Sequence, residues 1–257
     1  MLFVLKMAPA LATGNTLVLK PAEQTPVIWN WNLSIQLKWL CIQLTALYLA
    51  SLVVEAGFPP GVVNVVPGYG PTAGGAIVEH PKVDKISFTG SSEVGKLISK
   101  NGSNTLKRVT LELGGKSPIV VTENFDLKKA ALIAIEGCYA NMGQCCCAAT
   151  RTYVHESIYE EFVKETALLA QKKVVGDPFE DATHHGPQID AEQTEKILDL
   201  IESGKKEGAR VVTGGKRMNR KGYFIEPTVF ADVLDSHRIA RYVISTFNKS
   251  INQKLYP

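Results

Sequence analysis

The chain has 257 residues, 45% of them apolar, with 28 basic and 25 acidic side chains and a net charge of +3. That length and apolar content suffice to bury one large core or two smaller ones, and the interspersed charges leave no face built for a phosphate backbone, which excludes nucleic acid as the expected partner. The cysteines, Cys41, Cys138 and the adjacent Cys145, Cys146 and Cys147, are odd in number and poorly placed to pair with one another, so a reducing, cytoplasmic setting is expected.

In chain order, Met1 to Leu5 is apolar and Ala8-Pro9-Ala10 has the small residues of a cleavage site, but Lys6 interrupts a stretch too short for a signal peptide. Leu17-Val18-Leu19, stopped by Lys20-Pro21, predicts a buried strand. Val27 to Gln43 holds all the tryptophans, Trp29, Trp31 and Trp39, and no acidic residue, and reads as an insertion. Trp39 to Val54 is uncharged, yet Gln43, Thr45 and Ser51 break it and it falls short of the about 20 residues of a membrane span. Leu44 to Ala56 therefore predicts a soluble helix closed by Gly57, with no membrane as partner.

Val62 to Val66, Ile86 to Phe88 and Val109 to Leu111 predict further strands, with a helix over Thr72 to Glu79. Strands alternating with helices imply an α/β fold with a doubly wound parallel sheet. After Gly114-Gly115 the pattern restarts: a strand at Ile119 to Val121, a helix over Leu127 to Ala140, a strand at Thr152 to Val154 and a helix over Ser157 to Lys173. A helix over Ala191 to Glu207 and strands at Val211-Val212 and Phe224 to Val229 follow, which sets a domain boundary near Gly114. Tyr242 to Pro257 is mildly basic with little periodicity and is expected to fray or drape over the surface.

Several motifs carry chemistry. Lys20-Pro21-Ala22-Glu23 follows the first strand, where open parallel sheets bind ligands; a carboxylate there can accept from ribose hydroxyls and repels a 2′-phosphate, while the alternative is a solvated turn pair. Phe88 to Gly95 leads from a strand into a helix, either a seat for pyrophosphate or a plain N-cap. Gly90-x4-Gly95-Lys96 falls one residue short of a P-loop, because Leu97 has no hydroxyl for Mg²⁺, so nucleotide hydrolysis is not expected.

Leu111-Glu112-Leu113-Gly114-Gly115-Lys116 sets one carboxylate at an apolar strand end, where burial would raise its pKa and suit it as a general base; a buried ion pair is the alternative. Asn141 to Cys147 brings three thiols to one turn. Zinc sites want paired Cys-x2-Cys or nearby His, which are absent from this stretch, so no metal is expected and covalent catalysis on a carbonyl is the open alternative. His184-His185 lies in a Pro-, Gly- and Asp-rich loop and is expected to be solvated.

Together these residues resemble the aldehyde dehydrogenase superfamily, its retinal and mitochondrial types above all. The likeness runs from about Lys6 to Arg241 apart from Val27 to Gln43, through Ala10 to Thr16, Lys20 to Pro26, Glu55 to Val62, Leu111 to Pro118 and Tyr139 to Ala148. The resemblance implies a partial Rossmann-like NAD-binding domain over 1–113, a partial catalytic domain over 114–241 and a divergent tail over 242–257. It makes Cys146 the nucleophile and Glu112 the base for the hydrolytic water, with an aldehyde as substrate and NAD as cofactor. Lys20 and Glu23 would hold the adenosine ribose, Gly70 and Gly74 would admit the adenine end, and Ser91 would meet the pyrophosphate. Leu113 and Gly114 would lie on the cofactor side, Gly114 facing the nicotinamide, and Gln193 would add a further contact.

The resemblance also exposes departures. Family members carry an Asn ahead of the position of Met1 that shares the oxyanion hole, and a Glu-x-Phe-Gly-Pro segment near Tyr242 that holds the nicotinamide ribose. They form homo-oligomers through a strand not found in this sequence. The expectation is thus a truncated chain with an insertion, cytoplasmic or of mitochondrial origin, either an enzyme or an impaired fragment that binds dinucleotide or full-length subunits.

Overall fold

A computed structural model describes residues 2–24, 44–242 and 249–255, and the expected insertion over 27–43 lies outside them. The chain divides into two units, Met1–Thr89 with Val94–Glu112, and Gly90–Glu93 with Leu113–Pro257.

In the first unit, helix α1 (Leu2–Ala12) carries Pro9 and buries none of its residues. Strands β1 (Leu17–Leu19) and β2 (Val63–Val65) pair in parallel, Leu17 opposite Val63. Between them runs α2 (Leu44–Glu55), and Gly57 beyond it takes φ +79°, the left-handed turn that only glycine adopts without strain. Helix α3 (Gly75–Glu79) follows a single π-turn over Gly70–Gly74. Strands β3 (Lys85–Gly90) and β4 (Arg108–Leu113), separated by α4 (Ser92–Gly102), form a second two-stranded sheet. Val78, Ile86 and Ile98 are its buried centre, flanked by Val83, Phe88, Val109 and Leu111.

The second unit is built on β5 (Pro118–Val121), α5 (Leu127–Tyr139), β6 (Arg151–His155), α6 (Tyr159–Gln171), α7 (Ala191–Lys206), β7 (Arg210–Thr213), β8 (Thr228–Ala231), α8 (Arg238–Arg241) and β9 (Lys249–Leu255). Asp126 caps α5 by accepting from Lys129 N at 2.9 Å, and Asp190 caps α7 by accepting from Gln193 N at 2.8 Å. Phe162, Ile135, Ile197 and Ile201 of the helices and Phe230 of β8 are fully buried. The sheet order is β5-β6-β9-β8-β7, so the fold is α/β.

Three expectations are corrected here. The second sheet is not wholly parallel: β7 runs antiparallel to β8. The linker between them contains no helix, and an antiparallel neighbour needs no helical crossover. The strand expected at Phe224 to Val229 begins only at Thr228, Ile225 making an isolated bridge to Arg217 instead. The tail does not drape over the surface. Residues 249–255 form β9 in the middle of the sheet, parallel to β6 and β8, with Ile251 opposite both Arg151 and Phe230. Central parallel strands usually read as apolar runs, and this polar segment owes its place to backbone pairing on both sides.

Candidate active site

Four of the expected cofactor residues meet beyond the carboxyl ends of β1 and β2. Lys20 Nζ lies 2.6 Å from Glu23 Oε2 and donates to Gly68 O at 3.1 Å, while Gly70 N donates to Glu23 Oε1 at 3.1 Å. Partial burial pushes the Glu23 carboxyl up, but the Lys20 ammonium and the N–H groups of Glu23 and Gly70 outweigh it and hold the group below the usual carboxylate range. A Cβ on Gly70 would stand 3.6 Å from Glu23 Oε1, and one on Gly74 3.6 Å from Lys20 Cδ, so both glycines keep open the space over the charged pair.

Ser91, in the connection between β3 and α4, is half-buried, and Gly95 of α4 is buried. Leu97 is 56% exposed on α4, with no hydroxyl to offer a nucleotide-bound metal. Ser91, Leu113, Gly114 and Gln193 all belong to the second unit, Gln193 in the first turn of α7.

Glu112 is not buried as expected. Exposure alternates along β4, with Arg108, Thr110 and Glu112 outward and Val109, Leu111 and Leu113 turned in, and the period of a strand assigns Glu112 to the open face. Sequence reasoning passed over its neighbour. Lys6 on α1 donates to Ser87 Oγ at 3.2 Å; its partial burial lowers its pKa while the charge of Glu112 pulls it back up. The available signal was a single charge in an apolar helix.

Cys146 follows a strained turn after α5. Asn141, Met142 and Gly143 all have positive φ, at 50°, 58° and 72°. Asn141 Nδ2 donates to Gln144 O at 3.0 Å, Gln144 N donates to Asn141 O at 3.0 Å, and Ala148 N donates to Cys145 O at 3.1 Å, closing the turn around the thiols. Cys146 and Cys147 are exposed, and the sulfurs of Cys145 and Cys147 lie 3.3 Å apart. That hydrogen bond is the main cause that pushes the Cys147 thiol up, so the flanking thiols engage each other and Cys146 stands outside the pair. All three sulfurs fall within 4.8 Å, and the group contains no histidine or carboxylate. A Cβ on Gly115 would come 3.9 Å from Cys146 O, which places Gly115 beside the Cys146 backbone.

The loop expected to be solvated is instead packed. His184 is exposed, but His185 is 1% exposed, meets Tyr139 edge-on with ring centroids 6.0 Å apart, and is held at a pKa of about 4, first by burial and then by the charge of Lys173. Gln188, 2% exposed, donates through Nε2 to Met142 O at 3.3 Å, and Ile189 N donates to Gln144 Oε1 at 2.9 Å. Sequence reading missed both glutamines as support for the thiol loop, because only tertiary contact joins segments so far apart in the chain. Among the described residues no helix is long and apolar enough to cross a membrane.

The profile described as "Aldehyde dehydrogenase family" matches residues 1–36 and 42–244. Retinaldehyde dehydrogenase 3 of Homo sapiens is 55% identical over 94% of this chain and 44% of its own length, and aldehyde dehydrogenase 1A1 of Bos taurus is 56% identical over 94% and 45%. The chain thus spans less than half the length of these curated relatives. Among solved structures, an NAD⁺ complex of aldehyde dehydrogenase from Bacillus cereus superposes with a TM-score of 0.87 at 45% identity, covering 97% of this chain and 47% of that one. Betaine aldehyde dehydrogenase of Staphylococcus aureus, also with NAD⁺, gives 0.88 at 35% identity, covering 98% and 47%. With its matched profile over nearly all of the sequence and these relatives beside it, the chain belongs to the aldehyde dehydrogenase family.

Proposed function

We propose that this chain takes part in NAD-dependent oxidation of an aldehyde to a carboxylic acid through a thioester on Cys146. The observation that carries the reading is the thiol turn, in which Cys145 and Cys147 bond each other and leave Cys146 exposed on a loop held from outside. The Cys146 thiolate adds to the aldehyde carbon, and its backbone N–H is a donor for the developing oxyanion. NAD, when bound, supplies the hydride acceptor. Lys20 and Glu23 suit its adenosine ribose: the carboxylate is ionised, the ammonium is locked to it, and Gly70 and Gly74 leave room above. Glu112 then takes a proton from water, the water oxygen attacks the thioester, and the acid leaves as the Cys146 thiolate re-forms. Ser91, Leu113, Gly114 and Gln193 complete the cofactor contacts in this reading. The four free thiols of Cys138, Cys145, Cys146 and Cys147 suit a reducing, cytoplasmic compartment.

The test is NADH formation with propanal or retinal, followed by absorbance. Cys146→Ala is expected to abolish turnover, and Glu112→Gln to slow steady-state turnover by about 10²–10⁴. Unchanged turnover in Cys146→Ala overturns the proposal.

A further inference from the structure

We infer that residues 184–189 form a clamp that positions the Cys146 loop, with Gln188 and Gln144 as the positioning residues; the inference rests on the reading of Cys146 as nucleophile. Asn141 and Met142 hold left-handed backbone conformations that non-glycine residues disfavour, so the turn preceding the thiols needs outside support to persist. Two reciprocal hydrogen bonds give that support. Gln188 Nε2 reaches Met142 O at 3.3 Å, and in return the Gln144 side chain accepts from Ile189 N at 2.9 Å. Each loop thus offers a side chain to the other's backbone. Close packing accompanies the bonds: a Cβ on Gly186 would lie 3.6 Å from Met142 Sδ.

The clamp is itself anchored. Gln188 N donates to Tyr223 O at 2.9 Å, and His185 N donates to Val174 O at 3.0 Å. The buried His185 ring packs on Tyr139, whose hydroxyl donates to Thr228 O at 2.6 Å. Gln188 is therefore fixed by burial of its side chain and by its own backbone bond to Tyr223. Cys146 lies two residues after Gln144, so the direction of its Sγ follows from where Gln144 is pinned. A thiolate that must meet a carbonyl along one line of approach gains from such pre-organisation.

The experiment measures iodoacetamide labelling of Cys146 against Cys147 by peptide mass spectrometry, over a range of pH, in the full chain and in Gln188→Leu, Gln144→Leu and Gln144→Glu. Melting is recorded alongside, and labelling is done well below each midpoint. The unmodified chain is expected to label Cys146 ahead of Cys147. Both leucine variants lower that ratio about tenfold, whereas Gln144→Glu, which keeps an acceptor for Ile189 N, restores it. A role confined to stability would lower the midpoint and leave the ratio alone. Gln144 is only partly buried, so its variants serve even where Gln188→Leu fails to fold. Equal labelling of Cys146 and Cys147 in the unmodified chain removes the nucleophile reading and the clamp with it. A preference for Cys146 that persists in both leucine variants overturns the clamp alone.

Discussion

The Lys20–Glu23 grip of the first unit and the thiol turn of the second reach definite geometry by different means. In the grip, an ion pair at 2.6 Å between residues three apart fixes two part-buried side chains, and the loop after β2 adds the Gly70 N–H and the Gly68 carbonyl. In the thiol turn no charge is involved. Backbone strain at Asn141 and Met142 is accompanied by hydrogen bonds from Gln188 and Ile189, on a loop more than forty positions away whose His185 and Gln188 are buried. The units beneath differ in the same sense: Val78, Ile86 and Ile98 retain 7–8% exposure, whereas Ile197, Ile225 and Phe230 retain none.

Substitutions can break or sharpen that contrast. Ile251→Pro should have the largest effect, since β9 pairs on both sides and a proline there removes a ladder donor in mid-sheet. The second unit is expected to lose cooperative melting in calorimetry, and an unchanged transition would show that the tail does not belong to the sheet. Phe230→Ala should destabilise the second unit by about 3–5 kcal/mol and Ile98→Ala the first by about 2 kcal/mol. Two transitions in denaturant, each moved by one substitution, would sharpen the contrast; a single shared transition would break it.

The third prediction concerns pH. The buried His185 ring titrates near 4 where an ordinary imidazole titrates near 6.5, so the unfolded chain binds the proton first and stability falls as pH drops from about 6.5 to about 4. The loss is about 3 kcal/mol, by the conversion of one pKa unit to about 1.4 kcal/mol. In His185→Gln that acid slope should disappear from urea titrations, and an identical slope would assign the loss elsewhere. The smallest effect is expected at the grip. Glu23→Gln should weaken NAD binding by about tenfold and narrow its preference over NADP, read by calorimetry, with melting of the second unit untouched.

Much of this was legible before any coordinates. The Glu and Cys signatures, the glycines at 70 and 74 and the Lys20–Glu23 pair each rest on neighbours within a short stretch, and short-range spacing survives in sequence. Elements with an apolar period were also placed, such as α5, α6 and α7, because burial on one helical face leaves its mark every three or four residues. Where burial was inferred from composition alone it failed. Glu112, between two leucines, faces outward because a strand alternates, and His185, in a Pro-, Gly- and Asp-rich loop, is buried with its ring against Tyr139.

The sequence by itself therefore determined the family and the α/β alternation, and it brought out the Glu and Cys signatures and the Lys20–Glu23 pair from which the proposed chemistry is read, all carried by residue identity and local period. Only the tertiary structure decided that a polar tail becomes the middle strand of a sheet, that β7 turns antiparallel, and that Gln188 and Ile189 hold the turn before the thiols. Those facts rest on backbone hydrogen bonds and contacts between distant segments, and a backbone amide is the same in every residue, so its partner is chosen by where the rest of the chain comes to lie.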